Sequence, residues 1–189
     1  QRHAPGVSRE DFLKGRISTA TAQCKKLLRL NPQDADGWDY MGEIYASLDK
    51  TDEAASCYQE VLKIAPYRPD NRIWLAIQRI KLKQLDEAKI LIKEEIKKFK
   101  YNSENYYLLA KIHIEQKEYR KATNALDCVI SKFPEKIDCW EWTVDALGKL
   151  KDASRLKNLY RDTENIALTS DREWVRTRLA KELAKLKSQ

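Results

Sequence analysis

The chain has 189 residues, of which 42% are hydrophobic, and its 36 Lys and Arg against 29 Asp and Glu give a formal net charge of +7. No stretch approaches the roughly 18 consecutive apolar residues that cross a bilayer, and no apolar segment near Gln1 resembles a signal peptide. The sequence therefore excludes a membrane-spanning protein and predicts a soluble, cytoplasmic one. Because Gln1 is not Met, we expect the chain to be a piece of a longer protein.

A 34-residue period runs through the chain without an insertion. Three sets of residues recur at that spacing: aromatic residues at Trp38, Tyr106, Trp140 and Trp174 with Arg72 in the remaining slot; alanines at Ala20, Ala54, Ala88 and Ala122, followed by Leu156; and Cys24, Tyr58, Ile92, Leu126 and Tyr160. A fixed period of this length indicates a structural unit that is repeated along the chain. Each unit is then expected to bury only the faces that touch its neighbours.

The pattern is weakest at the start of the chain. Residues 1–7 are predicted to be a loose segment, and residues 8–34 an irregular first repeat. Within that repeat we expect a helical hairpin between Ser8 and Leu30, because the alanine and cysteine of the period are present while the preceding aromatic residue is absent.

Residues 35–68 form the clearest unit. Apolar residues recur at helical spacing, namely Trp38, Met41 and Tyr45 in a first helix and Ala54, Tyr58, Val61 and Leu62 in a second. Gly42 lies on the apolar stripe of the first helix and predicts that the backbone of a second helix comes close there. Thr51 is the predicted N-cap of the second helix, and Pro66 prevents that helix from continuing.

Two further units, 69–102 and 103–136, follow the same pattern, and 137–170 is a degenerate fourth repeat. In the unit 69–102, Lys100 stands where the other units have proline. We therefore expect the second helix of that unit to run longer than its counterparts.

Residues 171–189 are predicted to be a C-terminal capping helix. Ser170, followed three residues later by Glu173, is typical of the capping box that begins a helix. The expected apolar side of this helix consists of Trp174, Val175, Leu179, Leu183 and Leu186. Such a helix would cover the last hydrophobic face of a repeat array and present a polar face to water.

The unit 35–68 resembles the tetratricopeptide pattern W-x2-L-G-x2-Y, A-x3-F, P. The residues that carry the resemblance are Trp38, Met41, Gly42, Tyr45, Ala54, Tyr58 and Pro66. The resemblance implies an all-α fold, a right-handed α-solenoid of helix-turn-helix repeats. It also implies that the first helix of each repeat lines a concave groove, in which members of this family hold a peptide or helix of a partner protein.

The resemblance also implies which residues line the groove. They are Asp36, Asp39, Tyr40, Glu43, Asp70, Ile73, Trp74, Ile77, Glu104, Tyr107, Leu108, Lys111, Asp138, Glu141, Trp142 and Asp145. Eight of these are acidic and one is a lysine, although the whole chain is basic. An acidic groove with broad aromatic faces favours a partner segment that is basic and apolar. The predicted function is a protein-interaction scaffold within a larger protein or complex.

The sequence has no pattern typical of a catalytic, cofactor or metal site. It contains no Gly-rich phosphate loop and no H-E-x-x-H pair, and its four cysteines lack C-x2-C spacing, so we interpret each as a buried hydrophobic residue. His113 takes a slot that Tyr45 fills in an earlier unit, so a core or groove position without an activating partner is expected. Asp138, Glu141 and Asp145 share one helix face, and we interpret them as a solvated or partner-facing stripe. We predict no enzyme, no cofactor and no metal.

One subclass of partner is not expected. Tetratricopeptide domains that bind the acidic C-terminal tails of cytosolic chaperones use Lys, Asn and Arg on the inner faces of three successive units. The matching places here hold Asp39, Glu43, Trp74, Glu104 and Leu108. An acidic tail would be repelled by these carboxylates.

Other functions stay open. Lysines cluster on the second helix of the unit 69–102, at Lys93, Lys97, Lys98 and Lys100, and the last helix is also basic. A basic convex face would suit an adaptor for nucleic acid or an anionic membrane surface, although only Tyr160 and Trp174 accompany the C-terminal charges as stacking platforms. A purely structural role in assembly, and homodimerisation through the apolar ends of the solenoid, are further alternatives.

Overall fold

The computed structural model describes residues 9–68, 70–99 and 102–188, so the predicted loose segment 1–7 lies outside it. The described residues form ten α-helices and a short 3-10 helix, and they contain no β-strand. The α-helices are α1 Arg9–Leu30, α2 Ala35–Ser47, α3 Thr51–Ile64, α4 Asn71–Lys81, α5 Leu85–Lys98, α6 Ser103–Glu115, α7 Tyr119–Ile130, α8 Ile137–Lys149, α9 Ala153–Asp162 and α10 Thr169–Lys187, and the 3-10 helix is Thr163–Asn165. The all-α helical-repeat class is confirmed.

The chain forms two compact units, one ending at Leu91 and the other beginning at Ile92. In the first unit, α3 packs against both α2 and α4, and α1 packs against α2. In the second unit, α7 packs against α6 and α8, and α10 packs against α8 and α9. Helices therefore pack on their neighbours in the sequence, which is the arrangement of a helical repeat.

The turn between the two helices of a repeat has the same backbone each time. We number positions within a repeat from 1 to 34, with position 1 at Ala35. Position 15 is left-handed in four successive turns, with φ of 56° at Asp49, 61° at Lys83, 58° at Lys117 and 53° at Lys151. The next residue donates a hydrogen bond to the carbonyl five residues earlier, as the Lys50 amide does to Tyr45 O at 2.9 Å. This Schellman arrangement ends the first helix at a fixed position and so maintains the period.

Gly42 is the point at which the first helix of the clearest repeat touches the second. A Cβ added to Gly42 would lie 2.7 Å from Cε1 of Tyr58, and Tyr58 is buried at 2% exposure. Only a residue without a side chain lets α2 approach the Tyr58 ring this closely. A close contact at Gly42 is therefore present, but it is made by the Tyr58 ring and not, as the sequence had predicted, by the backbone of the second helix.

The tryptophan and proline of the period are joined by a hydrogen bond. Trp38 Nε1 donates to Pro32 O at 2.9 Å, and Trp140 Nε1 donates to Pro134 O at 2.9 Å. An indole that packs into a core needs a partner for its N–H, and the carbonyl six residues earlier supplies it. Trp174 has the same repeat position but is exposed, so its predicted place on the apolar side of α10 is wrong.

Two expectations about helix length are wrong. The described part of the segment from Ser8 to Leu30 is the single helix α1 and not a hairpin. Gly15 lies within α1 without ending it, because a single glycine inside a helix costs only about 0.5–1 kcal/mol. In the unit 69–102, α5 ends at Lys98, 34 residues after α3 ends at Ile64, so it is no longer than its counterpart.

The two predicted N-caps do not form. The Schellman turn makes Lys50 the cap residue, so Thr51 is already helical, and its hydroxyl donates to Asp49 O at 3.4 Å. In the last helix, the cap residue is Leu168, and Ser170 lies inside α10. In both cases the chain preceding the helix sets where the helix begins.

The last helix closes the core of the second unit. Val175 and Leu179 are at most 1% exposed, and both belong to the same apolar cluster as Trp140. Glu182 packs directly over Gly148 of α8, where a Cβ would collide with its carboxylate. The C-terminal capping helix is confirmed.

Candidate protein-binding surface

Each unit presents one face of its first helices. We call the accessible residues of α2 and α4 the unit 1 face: Asp36, Asp39, Tyr40, Glu43, Asp70, Trp74 and Ile77. The corresponding residues of α6 and α8 are the unit 2 face: Glu104, Tyr107, Lys111, Asp138, Glu141, Trp142 and Asp145. Ile73 and Leu108 are only 6% exposed, so their predicted place in a groove is wrong, because burial of an aliphatic side chain is favourable and leaves nothing for a partner to contact.

Aromatic residues occupy repeat position 6 on both faces. Tyr40 and Trp74 are 52% and 47% exposed on the unit 1 face, and Trp142 has the same position on the unit 2 face. Position 4, two residues earlier, holds the tryptophans that bond to proline. An α-helix turns by about 200° over two residues, so positions 4 and 6 point in different directions. Position 6 is accessible at Tyr40 and Trp74, whereas Leu108 at the same position is buried.

On the unit 1 face, Arg68 holds two of the predicted acids. Its Nη2 donates to Asp39 Oδ2 at 2.8 Å, and its Nη1 donates to Asp36 Oδ1. The hydrogen bond to Asp36 and the charges of both carboxylates raise the pKa of Arg68. Glu43 and Asp70 are exposed and have no cationic partner within the part of the chain that the structure describes. Only these two acids keep an uncompensated charge.

The acids at repeat position 2 also have a structural cause. Asp36, Glu104 and Asp138 lie in the first turns of α2, α6 and α8, and Asp70 is the cap residue of α4. A carboxylate at a helix N-terminus is stabilised by the helix dipole and the unpaired N–H groups. Acidic residues at this position therefore do not by themselves indicate a ligand.

On the unit 2 face, two aromatic rings stack. The centroids of Tyr107 and Trp142 are 5.0 Å apart, with 25° between the ring planes. Burial, and then a hydrogen bond from its hydroxyl to Asp138, raise the pKa of Tyr107 to about 12. Lys136 Nζ lies 5.5 Å from the Tyr107 ring centroid and 3.6 Å from Glu104 Oε2. The stack is therefore a rigid, neutral platform.

Arg178 of the capping helix pairs with two further acids of this face, Asp145 and Glu141. Its Nη2 lies 2.7 Å from Asp145 Oδ1 and 3.8 Å from Glu141 Oε1. Beside this ion pair is a cavity of about 200 Å³, lined by Ile114, Tyr119, Trp142, Asp145, Ala146 and Lys149. The unit 2 face thus has an apolar cavity, and ion pairs compensate the charges of Glu104, Glu141 and Asp145. The sequence had predicted a predominantly negative surface with a single lysine.

The sequence interpretation missed the three cations that hold these acids. Arg68 and Lys136 are both at repeat position 34, and each contacts the acid 32 residues earlier. That recurrence was present in the sequence. Arg178 gave no such indication, because its contact depends on how α10 packs against α8.

The arginines of α10 are also engaged. Arg172 Nη1 lies 3.5 Å from Glu164 Oε2, and Arg176 forms an ion pair with the same carboxylate. The Arg176 guanidinium also lies 5.1 Å from the Tyr160 ring centroid. These contacts reduce the charge that the last helix can offer to an anionic ligand.

The structure places the candidate histidine and the cysteines only partly as the sequence predicted. His113 is buried, as expected for a core position. Glu118 Oε2 lies 2.5 Å from its Nδ1, and helical spacing did not indicate this partner because it is five positions away, across the turn. Cys128 is exposed, unlike the other three cysteines, and its interpretation as buried is wrong.

The described residues contain no cluster of side chains suited to a metal. None of the described helices has the length and apolar character to cross a bilayer.

Comparison with known proteins identifies one repeat directly. Residues 35–68 match the family model described as Tetratricopeptide repeat. A comparison with curated proteins gives no match.

Solved structures resemble a larger part of the chain. MamA from Desulfovibrio magneticus RS-1, from residue 41 to its end, has a TM-score of 0.68 and 17% identity over 96% of this chain and 92% of that one. YrrB, a TPR protein with an unusual peptide-binding site, has a TM-score of 0.64 and 14% identity over 87% and 91%. The first TPR of Spaghetti (RPAP3), bound to the HSP90 peptide SRMEEVD, has a TM-score of 0.59 and 19% identity over 62% and 94%. At these identities the likeness establishes the fold.

Proposed function

Because this chain is a tetratricopeptide-repeat protein, we propose that it is an interaction scaffold that binds a basic and apolar segment of a partner protein. The observation that carries the proposal is the unit 1 face. There Tyr40 and Trp74 are each about half exposed. Glu43 follows Tyr40 by one helical turn, and Asp70 precedes Trp74 by one turn. Neither acid has a cationic partner in the described part of the chain. Exposed aromatic rings beside unpaired charge are typical of binding hot spots.

The charge of the partner follows from the same residues. A Lys or Arg of the ligand could pair with Glu43 or Asp70, while an apolar side chain packs on Trp74. The peptide SRMEEVD, to which the RPAP3 domain is bound, is acidic and would meet like charge on this face. We therefore expect no binding of chaperone tails. A cytoplasmic location and the absence of enzymatic activity remain predictions.

A selection from a random peptide library tests the proposal. We expect the enriched peptides to contain Lys or Arg within a few residues of an aromatic or large aliphatic residue. Their affinity should fall as the salt concentration rises, because salt screens the charge pairing. Trp74→Ala should cost more than about 1 kcal/mol of binding free energy, as a hot-spot aromatic does.

Two matched variants serve as controls. Trp174→Ala removes a tryptophan of similar exposure, 43% against 47%, from the opposite end of the chain and should leave affinity unchanged. Lys97→Glu alters the alternative basic face. Selection of acidic peptides or nucleic acid, with loss of binding in Lys97→Glu and none in Trp74→Ala, would contradict the proposal and support the basic-face function.

A further inference from the structure

The apolar cavity of the unit 2 face shares no residue with the unit 1 face, on which the proposed function depends. It has a volume of about 200 Å³ and lies among α6, α7 and α8. Its lining residues are Ile114, Tyr119, Trp142, Asp145, Ala146 and Lys149. Four of these side chains are apolar or aromatic, and the other two, Asp145 and Lys149, are charged.

The cavity lies beside the smallest side chain at its repeat position. Repeat position 10 is buried in all four repeats from residue 35 onward, where it holds Ile44, Gln78, Ile112 and Ala146. Because Ala146 lines the cavity, a larger side chain at this position would extend into the space. The repeats 35–68 and 103–136 have isoleucine there, so isoleucine is the substitution that should fill the cavity.

The walls of the cavity are fixed by contacts with neighbouring residues. Trp142 stacks on Tyr107 with the ring centroids 5.0 Å apart, and Ile114 and Trp142 both pack against the core of the second unit. Asp145 is also held, because Arg178 Nη2 lies 2.7 Å from its Oδ1. A ligand would therefore enter a cavity that is already formed, which lowers the entropic cost of binding.

Of the two charged lining residues, only Lys149 keeps an uncompensated charge. It follows Asp145 by four residues on α8, a spacing at which two such side chains can pair. Arg178 binds the Asp145 carboxylate instead. Lys149 is exposed and has no ion-pair partner in the part of the chain that the structure describes. The cavity therefore combines apolar walls with one available ammonium group.

These features indicate the chemistry of the occupant. A cavity of about 150 Å³ with apolar walls can hold a benzene ring, so a cavity of about 200 Å³ can accommodate the side chain of phenylalanine. The rings of Tyr119 and Trp142 can contact that side chain in the edge-to-face or offset geometry that aromatic groups prefer. A carboxylate next to the aromatic residue would pair with Lys149, whereas a cation there would be repelled.

We propose that this cavity binds an aromatic side chain of a partner segment that has Asp or Glu next to the aromatic residue, and that Lys149 selects the acidic neighbour. The segment differs in charge from the basic one proposed for the unit 1 face, and it contacts different residues. Binding in the cavity is therefore independent of the proposed function.

The probe is the peptide acetyl-Gly-Glu-Phe-Glu-Gly-amide, which has no terminal charges. It is compared with a Lys peptide, in which Lys replaces both Glu, and with an Ala peptide, in which Ala replaces Phe. NMR of the full chain follows binding through the indole N–H of Trp142 and the methyl group of Ala146, since both residues line the cavity.

The Glu peptide should shift both signals in a saturable manner. The Lys peptide should bind in the cavity at least about threefold more weakly, as expected for the loss of an exposed ion pair. The Ala peptide should bind at least about tenfold more weakly, because it lacks the aromatic anchor.

Two variants test the cavity and the charge separately, each with a matched control. Ala146→Ile should weaken binding of the Glu peptide by at least about tenfold, because its side chain fills the cavity. Ala180→Ile makes the same change at an exposed alanine and should bind within about twofold of the unmodified chain. Lys149→Glu should reverse the preference, so that the Lys peptide binds in the cavity more tightly than the Glu peptide. Lys157→Glu, at another exposed lysine, should keep the original preference.

Circular dichroism establishes that the variants fold. Lys149→Glu changes an exposed residue, so it tests the assignment even if Ala146→Ile does not fold. Three results would overturn the proposal: no saturable shift at Trp142 with the Glu peptide, equal binding of the Glu and Ala peptides there, or an unchanged preference in Lys149→Glu. Shifts of the Trp74 indole by the Lys peptide, with none at Trp142 by the Glu peptide, would overturn this proposal and support the proposed function.

Discussion

Replacing the turn residue Lys117 or Lys151 with glycine should stabilise the protein, whereas the same replacement of a lysine within a helix should destabilise it. Both have φ above +50°, a conformation that costs a residue with a Cβ about 1–2 kcal/mol and costs glycine nothing. Glycine loses about 0.5–1 kcal/mol through its greater freedom in the unfolded chain. The difference predicts that Lys117→Gly and Lys151→Gly each stabilise the protein by about 0.5–1 kcal/mol.

Lys157 is the matched control for this prediction. It is exposed in the interior of α9, where glycine is disfavoured relative to lysine, so Lys157→Gly should destabilise the protein by about 0.5–1 kcal/mol. Urea unfolding followed by circular dichroism at 222 nm measures all three variants, and in thermal unfolding each 1 kcal/mol corresponds to a shift of about 2–4 °C for a chain of this size.

The double variant of the two turn residues should be additive within about 0.5 kcal/mol, because the turns share no partners. A loss of stability at Lys117 and Lys151 equal to that at Lys157 would refute the argument. It would mean that the left-handed turns are not strained, or that contacts of the lysine side chains stabilise the protein by as much as the strain destabilises it.

Two further predictions concern the core and the cysteines. Tyr58→Ala and Leu126→Ala should each lower the free energy of unfolding by about 2–5 kcal/mol, because both side chains are at most 2% exposed and their removal would leave cavities. The control Lys97→Ala, at an exposed residue, should change it by less than about 0.5 kcal/mol. Equal urea midpoints for the three variants would contradict the repeat register. In the native protein at pH 8, a thiol reagent should label Cys128 rapidly and the three buried cysteines only after unfolding, since burial raises the pKa of Cys57 and of Cys139 to about 12. Mass spectrometry of the labelled peptides checks this, and rapid labelling of a buried cysteine would mean that the core opens locally.

Much of the fold could be predicted because each repeat needs the same kind of residue, apolar or small, at the same position. Gly42 indicated a close helix approach, and the structure places the Tyr58 ring there. The local starts of helices could not be predicted equally well. Thr51 and Ser170 have the right chemistry for caps, yet the backbone of the preceding residues decides where α3 and α10 begin.

The location of the candidate binding surface stays a prediction, and its charge in the structure differs from the charge expected from the sequence. Counting eight acids and one lysine along the first helices predicted a groove of net negative charge, whereas Arg68 and Arg178 neutralise several of these acids. An ion pair between residues about 30 positions apart depends on the packing of two elements, and a count of charges within one element cannot include it. Tyr40 and Trp74 are about half exposed, and their role in binding stays a prediction.

The sequence by itself determined the repeat, its 34-residue length and the class of fold, because burial of apolar residues at helical spacing depends only on the order of residues along the chain. Tertiary structure alone decided which charges remain uncompensated and which apolar residues remain uncovered. Leu27 illustrates the reason. Its repeat position predicts a buried residue, but burial requires a neighbouring helix. Among the described residues, α1 has one first helix packed against it, whereas α3 has two.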